Sequence, residues 1–358
     1  MLDHEESLRL NILRFPLIVG VVFIHAYPST VGLTGAEVGV IQPTFIADFA
    51  RNIISQGIAR VAVPLFFLMS GYLFYFGFQW SMKNYAAKLK SRIKTLLIPF
   101  LFWNIVTLLV FALAEAIPDT RNFLSGKNIS ISDFNVFDYF NAIFGFTRLP
   151  IAYQFWFIRD LIILAVLSPM IYFLNNVAPL PFIGLALFYW LIGGLSTIPL
   201  PAPEAILFYS VGAYIGSKHL SLFHFDKYGA MIIILYLPIV TIDALTIDKQ
   251  YNFYIHNIGI VLGMLGTLYS TKLVAENDKL KLLFVQLSGA SFFVYAAHEP
   301  PLRVLRKIFY KMILPESSFT ILFLYFIIPA SIILLAVVAH RWLVRVAPRF
   351  ARVVTGRR

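Results

Sequence analysis

The sequence predicts an all-α protein, a polytopic membrane helical bundle of about ten transmembrane helices with both termini in the cytoplasm. Of its 358 residues, 59% are hydrophobic and only 13% are charged. Soluble domains contain roughly 45–50% apolar and about 25% charged residues, so this composition excludes a soluble domain and a disordered chain. The apolar residues form long runs rather than short alternating segments, which argues against a membrane β-barrel.

Ten segments are long and apolar enough, or nearly so, to cross a bilayer, which takes about 20 residues. The sixth is the weakest because it is short and contains Glu204. The predicted spans are Leu10–Tyr27, Ile58–Phe78, Leu96–Ala116, Trp156–Leu174, Pro181–Ile198, Pro203–Ile215, Ala230–Ile247, Phe253–Thr271, Leu287–Leu305 and Phe319–His340.

These spans define a single integral membrane domain over residues 1–358. We expect a cytoplasmic N-terminus over 1–9, an outer loop over 118–155 and a basic cytoplasmic tail over 341–358. Cytoplasmic segments carry an excess of Lys and Arg, and this orientation places 18 of the 29 Lys and Arg residues on the inner side. A basic cluster on the predicted outer face opposes this bias and consists of Arg303, Arg306, Lys307 and Lys311.

Two ionisable side chains lie in the first predicted helix, where ionisable groups are costly and indicate function by default. Arg14 and His25 are eleven residues apart, a rotation about 20° greater than three full helical turns, so both side chains face the same side of the helix. Their separation along the axis is about 16 Å. This face predicts a polar cavity with a fixed cation near the cytoplasm and an imidazole deeper in. The alternatives are an arginine that snorkels to lipid phosphates and a histidine at the interface.

Other charged residues fall inside or near predicted spans. Arg60 lies close to an end of its span and is either functional or an interfacial anchor. Arg159 and Asp160 are either part of a polar site or a local ion pair, each with a further partner. The neighbours His298 and Glu299 form either a proton-relay element or a structural hydrogen-bonded pair. All five are candidate supporting polar residues.

The predicted inner loop after the second span reads KNYAAKLKSRIKTLLIP and includes Lys90, Arg92 and Lys94. Its cations fit a site for a phosphorylated donor on the cytoplasmic face. Plain positive-inside topology or attraction to anionic lipid explains them equally well. The chain contains no cysteine, which excludes disulfides, thiolate metal sites and cysteinyl intermediates. No metal site is predicted.

Five sequence blocks, in order over residues 13–300, resemble the acyltransferase-3 family of integral membrane O-acyltransferases. That family's opening helix carries an Arg and a His separated by ten residues, and Arg14 and His25 match this motif. The resemblance is to the members that modify O-antigen and exopolysaccharide, without the C-terminal esterase-like domain that some relatives add. The blocks are LRFPLIVGVVFIHAYPS, RVAVPLFFLMSGYLF, SRIKTLLIPFLFWN, FWFIRDLIILAVLSP and SFFVYAAHEP.

The resemblance implies an enzyme of the bacterial inner membrane. It would move an acetyl or other acyl group from cytoplasmic acyl-coenzyme A to a hydroxyl of a cell-surface or lipid-linked glycan. It assigns essential roles to His25 and Arg14, and donor binding to Arg92 with Lys90 and Lys94 nearby. Many members have a second arginine three positions after the first, where this chain has Thr95. The implied partners are acyl-coenzyme A, the glycan acceptor and membrane lipid, with no nucleic acid and no metal.

Histidine suits the chemistry of such a site, because its imidazole accepts a hydroxyl proton near neutral pH. Two other functions remain open at the level of sequence. One is an O-acyltransferase with the same donor site that acts on a small molecule or a lipid. The other is a proton-coupled transporter without enzymatic activity, which buried Arg, His, Asp and Glu residues would also suit.

Overall fold

The computed structural model of the protein describes residues 3–28, 30–33, 36–39, 44–117, 120, 130–194 and 201–356, most of which are helical. Two short antiparallel strands, β1 (Thr30–Leu33) and β2 (Ala36–Gly39), follow the first helix. The helices are α1 His4–Ala26, α2 Phe45–Tyr75, α3 Met82–Ala116, α4 Val136–Phe144, α5 Tyr153–Val166, α6 Ser168–Val177, α7 Pro179–Leu191, α8 Pro203–Ser217, α9 His224–Leu245, α10 Asn252–Glu276, α11 Asp278–Ser288, α12 Ser291–Ala297, α13 Pro301–Ile313, α14 Ser318–Val346 and α15 Pro348–Val354.

Six of the described helices are long and apolar enough to cross a membrane: α1, α2, α3, α9, α10 and α14. Two bent pairs bring the number to eight if each pair is one span. The pair α5–α6 bends by 64° and the pair α11–α12 by 52°. The helices α7 and α8, with 13 and 15 residues, are shorter than the roughly 20 residues that a perpendicular span needs. The all-α membrane class is confirmed, whereas the described residues provide six to eight spans of sufficient length.

Two predicted spans contain breaks in the helix. The fourth, Trp156–Leu174, is divided between α5 and α6 immediately before the Ser168–Pro169 pair. The ninth, Leu287–Leu305, is divided among α11, α12 and α13. The first of these breaks is the bend at Gly289–Ala290, and the second is at Pro300, which has no backbone N–H to continue the hydrogen bonds of α12. Of the fifth, Pro181–Ile198, α7 accounts for the first part, and residues 195–198 lie outside the described residues.

Three further boundaries differ from the sequence prediction. Helix α2 starts at Phe45, which places Arg60 in the middle of a 31-residue helix rather than near its end. The predicted outer loop 118–155 contains α4 and the start of α5, while 118–119 and 121–129 lie outside the described residues. The predicted tail 341–358 is helical over most of its length, and α15 is packed, with Val354 1% exposed.

Hydrogen bonds tie several helices together at one end of the molecule. The Arg9 side chain in α1 pairs with Asp226 at 2.5 Å, donates to Thr271 in α10 at 2.9 Å and lies 3.7 Å from the Phe223 ring. The Tyr72 hydroxyl of α2 donates to Glu6 at 3.1 Å. Because α1 and α2 run antiparallel, this end contains the start of α1 and the end of α2.

The C-terminal segment lies at the same end of the bundle as the start of α1. Gly356 packs directly on the backbone of Thr95, near the start of the apolar part of α3, and the Trp103 indole donates to the Val354 carbonyl at 3.0 Å. Nearby on α3, the Lys88 ammonium donates to the Leu73 carbonyl at 3.5 Å. The described N-terminal and C-terminal residues therefore lie at one end of the protein.

Helices α2 and α8 pack unusually closely through glycines. A Cβ at Gly71 would overlap the Tyr209 carbonyl oxygen, and a Cβ at Gly212 would overlap the Leu68 carbonyl oxygen. Small residues allow such close backbone approach between membrane helices, where association depends on van der Waals packing. This contact fixes the short helix α8 against the long helix α2.

Candidate active site

Three polar side chains from separate parts of the sequence form a hydrogen-bonded chain at the far end of α1. The Tyr153 hydroxyl at the start of α5 lies 3.0 Å from His25 Nδ1. The same hydroxyl donates to Glu299 Oε1 at 2.9 Å. Glu299 is only 5% exposed, and its second oxygen, Oε2, has no hydrogen-bond partner among the described residues. The sequence candidates His25 and Glu299 are therefore connected through a tyrosine.

Hydrogen bonds between α5 and α12 hold this chain in place. Gln154 Nε2 donates to the Ala296 carbonyl at 3.3 Å, and the Tyr295 hydroxyl donates to the Gln154 carbonyl at 2.6 Å. These contacts fix the first residues of α5 against the end of α12. Since Glu299 lies two residues after the end of α12, these two hydrogen bonds place Tyr153 beside the Glu299 carboxylate.

A second histidine lies next to the first. The His298 ring centroid is 5.3 Å from that of His25, and the residue is fully buried. His298 Nδ1 donates to the Tyr295 carbonyl at 2.7 Å, so in the neutral ring Nε2 is the unprotonated nitrogen. This Nε2 has no partner among the described residues. His25 is only half-buried, so of the two imidazoles it is the one accessible to a substrate.

Helix α13 supplies positive charge at this site. Arg306 Nη1 donates to the His25 carbonyl at 3.0 Å, where a cation is favourable because the α1 dipole is negative at its C-terminus. Arg306 Nε is buried without a partner among the described residues. The Arg303 guanidinium lies 5.1 Å from the Tyr153 ring centre. Part of the basic cluster that opposes the positive-inside bias thus belongs to the candidate site.

Arg14 and Arg60 lie at other points along the bundle. Arg14 is a half-buried residue of α1, between its start and His25, and makes no hydrogen bond or ion pair with another described residue. From Glu6, Arg14 is about 12 Å and His25 about 29 Å along the axis at 1.5 Å per residue. Arg60 Nε donates to Gln56 Oε1 at 2.8 Å, one turn away on α2.

The candidates Arg159 and Asp160 form a buried ion pair, with Arg159 Nε 3.0 Å from Asp160 Oδ1. Each has one further partner. Arg159 Nη1 donates to the Gly145 carbonyl at 2.8 Å, and Asp160 Oδ2 accepts from the Ala202 amide at 2.8 Å. The pair connects the segment before α5 with the segment before α8. Both carboxylate oxygens of Asp160 have hydrogen-bond partners, as expected for a structural ion pair.

The proposed donor cations differ in their surroundings. Arg92 lies 5.5 Å from the Phe74 ring centre, lines a cavity of about 30 Å³ with Ser70 and Tyr209, and has no acidic partner among the described residues. The Tyr209 hydroxyl is buried there without a partner in the described chain. Lys94 is half-buried, whereas Lys90 is exposed. All of these residues lie towards the end of the bundle that contains the start of α1.

The arrangement around His25 suits proton transfer to or from a hydroxyl, with nearby cations available for developing negative charge. Sequence reasoning missed Tyr153, because a tyrosine in an apolar run carries no charge signal, and it gave Arg306 no role at the site. The described residues contain no cluster of three or more His, Cys, Asp or Glu side chains that could hold a metal ion.

Comparison with known proteins identifies the family. A family model described as "Acyltransferase domain", of the acyltransferase-3 family, matches residues 7–340. The chain is also 26% identical over 380 aligned positions to the succinoglycan biosynthesis protein ExoH of Rhizobium meliloti (strain 1021), covering all of this chain and 94% of that protein. No solved structure matches. The chain therefore belongs to the acyltransferase-3 family and is a multi-pass membrane O-acyltransferase.

Proposed function

We propose that this protein transfers an acyl group from cytoplasmic acyl-coenzyme A to a hydroxyl of an exopolysaccharide or lipid-linked glycan in the bacterial inner membrane. The observation that carries the proposal is the hydrogen-bonded chain His25–Tyr153–Glu299, which runs from a half-buried imidazole to a buried carboxylate. The match to a succinoglycan biosynthesis protein supports a polysaccharide acceptor. Both chain ends would face the cytoplasm, as the basic residues predict.

In this proposal His25 is the general base. Its Nε2 takes the proton of the acceptor hydroxyl while the hydroxyl oxygen forms a bond to the thioester carbonyl carbon. The carbon–sulfur bond then breaks, and the thiolate of coenzyme A takes the proton back from Nε2 and leaves as the thiol. The products are the O-acyl ester and free coenzyme A, and the enzyme is unchanged. Arg303 and Arg306 are close enough to favour the negative charge that develops on the carbonyl oxygen.

The donor would lie along α1, from the end of the bundle that contains Arg92 towards His25. Arg92 lacks an acidic partner in the described chain and lines a small cavity together with the hydroxyl-bearing Ser70 and Tyr209, which suits a guanidinium that binds phosphate. Arg14 lies roughly 12 Å up α1 from Glu6, between this end and His25. We assign Arg92, Lys94 and Lys90 to the phosphates, and Arg14 to the arm that carries the acyl group.

Removal of the gene from its host tests this function. We expect the surface polysaccharide to lose ester-linked acyl groups in its NMR spectrum, while its sugar composition stays the same. A plasmid copy of the wild-type gene should restore the esters. Unchanged esterification of surface glycan in the deletion strain would reject a polysaccharide acceptor.

Neutralising the proposed phosphate cations should weaken donor binding. In the variant Arg92→Gln/Lys94→Gln we expect the KM for acyl-coenzyme A to rise about 100-fold, because each charge-assisted hydrogen bond contributes about 1.5–3 kcal/mol. This increase in KM should be larger at low salt, because ions screen the attraction between the wild-type cations and the donor phosphates. Steady-state kinetics with varied acyl-coenzyme A measures it.

The matched control is Lys83→Gln/Lys272→Gln, which removes two exposed cations and so makes the same change in net charge. This variant should keep the wild-type KM within about twofold, in line with the small contribution of exposed charges. An equal KM in both double variants would mean that the cations of this segment serve topology alone.

A further inference from the structure

The position of the Tyr153 hydroxyl between two ionisable groups suggests a role in the reaction of His25. The hydroxyl has one hydrogen, and its carboxylate neighbour Glu299 can only accept when ionised. The hydroxyl therefore donates to Glu299 and has only its oxygen lone pairs for His25. His25 Nδ1, 3.0 Å away, must then be the protonated nitrogen that donates to this oxygen.

This bonding pattern leaves the His25 Nε2 lone pair free, which is the form a general base needs. In catalytic triads a carboxylate that accepts from the histidine N–H fixes the tautomer and stabilises the imidazolium that forms during the reaction. Here the carboxylate lies one residue further away, and the tyrosine oxygen connects it to the ring.

We propose that Tyr153 and Glu299 are positioning residues that act as one unit on His25. The Tyr153 oxygen accepts a hydrogen bond from His25 Nδ1–H, and through this bond the Glu299 carboxylate orients the imidazole and stabilises its positive charge. Glu299 is buried and Tyr153 is half-buried, and their hydrogen bonds join the start of α5 and the segment after α12 to the end of α1. This inference rests on the proposed role of His25 as the base.

Other charged or titratable groups of the described chain lie near this unit, but none of them hydrogen-bonds the His25 ring in place of Tyr153. Arg303 lies over the Tyr153 ring, and Arg306 holds the His25 backbone carbonyl rather than its ring. His298 uses its Nδ1 proton on the Tyr295 carbonyl, so that ring has no hydrogen to give to His25 in its neutral form. Among the described residues, Tyr153 is the only one with a hydrogen bond to the His25 ring.

A double-mutant cycle on purified enzyme tests the proposal. We expect Tyr153→Phe and Glu299→Gln each to lower kcat about 10- to 100-fold and to leave the KM for acyl-coenzyme A within twofold. The Tyr153→Phe/Glu299→Gln variant should be no more than about threefold slower than Tyr153→Phe alone, because side chains that act through one another are not additive. Independent, multiplicative losses, or wild-type kcat in Tyr153→Phe, would overturn the proposal.

Two controls separate this result from other failures. Tyr325→Phe removes another buried hydroxyl, bonded to Ser55 at 2.6 Å, and should keep the wild-type kcat. A loss of kcat in this control equal to that of Tyr153→Phe would assign the effect to packing and overturn the proposal. His25→Ala tests the proposed function separately: if it retains full activity, the base assignment fails, whereas a normal Tyr153→Phe beside an inactive His25→Ala rejects only the positioning unit.

Discussion

The variant His25→Ala is expected to lose glycan acylation in cells while it still folds and inserts into the membrane. A positioned general base typically contributes 10²- to 10⁴-fold in rate, and His25 is the accessible imidazole of the buried polar cluster. The measurement is NMR of the surface polysaccharide, with a blot of the membrane fraction to confirm the amount of protein.

His340→Ala serves as the matched control. His340 is a histidine of the membrane-spanning helix α14, and its ring packs against Phe293 of α12 and has no hydrogen bond to Tyr153 or Glu299. We expect glycan acylation in the His340→Ala variant to stay near the wild-type level. Near-normal acylation in His25→Ala would eliminate His25 as the base and direct attention to His298, whose Nε2 is unpartnered in the described chain.

Arg14→Ala is expected to cause a loss of similar size by a different route. Because Arg14 lies roughly 16 Å along the helix axis from His25, it cannot contact the reacting hydroxyl and must act on another part of the donor. Misplacement of a reacting group by about 1 Å costs on the order of 100-fold in rate. Steady-state kinetics should show a lower kcat/KM for acyl-coenzyme A.

Arg14→Lys distinguishes charge from geometry at this position. A lysine keeps the charge but not the planar fork of five donors, so we expect only partial recovery of kcat/KM. The acceptor KM should be close to wild type in both variants. An effect confined to the acceptor KM would contradict the assignment of Arg14 to the donor.

The sequence predicted the membrane class and two of the three side chains in the hydrogen-bonded chain, for physical reasons. Composition and apolar runs report burial in lipid directly, so α1, α9, α10 and α14 lie close to their predicted ranges. Helix α3 ends at Ala116 as predicted but begins at Met82, within the predicted inner loop. His25 and Glu299 were found because ionisable groups are costly in a membrane. Their connection was not predictable from spacing, since 273 residues separate them and the contact depends on how α5 and α12 pack.

The errors of the prediction arise where local pattern and tertiary packing disagree. Hydropathy averages over a break, so the bends at Ser168 and at Gly289–Ala290 were interpreted as parts of continuous spans. Arg306 was noticed only as an exception to the positive-inside bias, although it hydrogen-bonds the end of α1 at His25. Tyr153 gave no signal, because its functional atom is a single hydroxyl on an otherwise apolar side chain.

Acyl transfer by this chain through His25 can be measured with the purified protein in proteoliposomes. The assay uses labelled acetyl-coenzyme A and polysaccharide from which mild alkali has removed existing esters. We expect label on the polysaccharide that a second alkali treatment releases, with at least a 100-fold lower rate for His25→Ala. Absence of label with folded wild-type protein, or equal labelling by His25→Ala, would contradict this expectation.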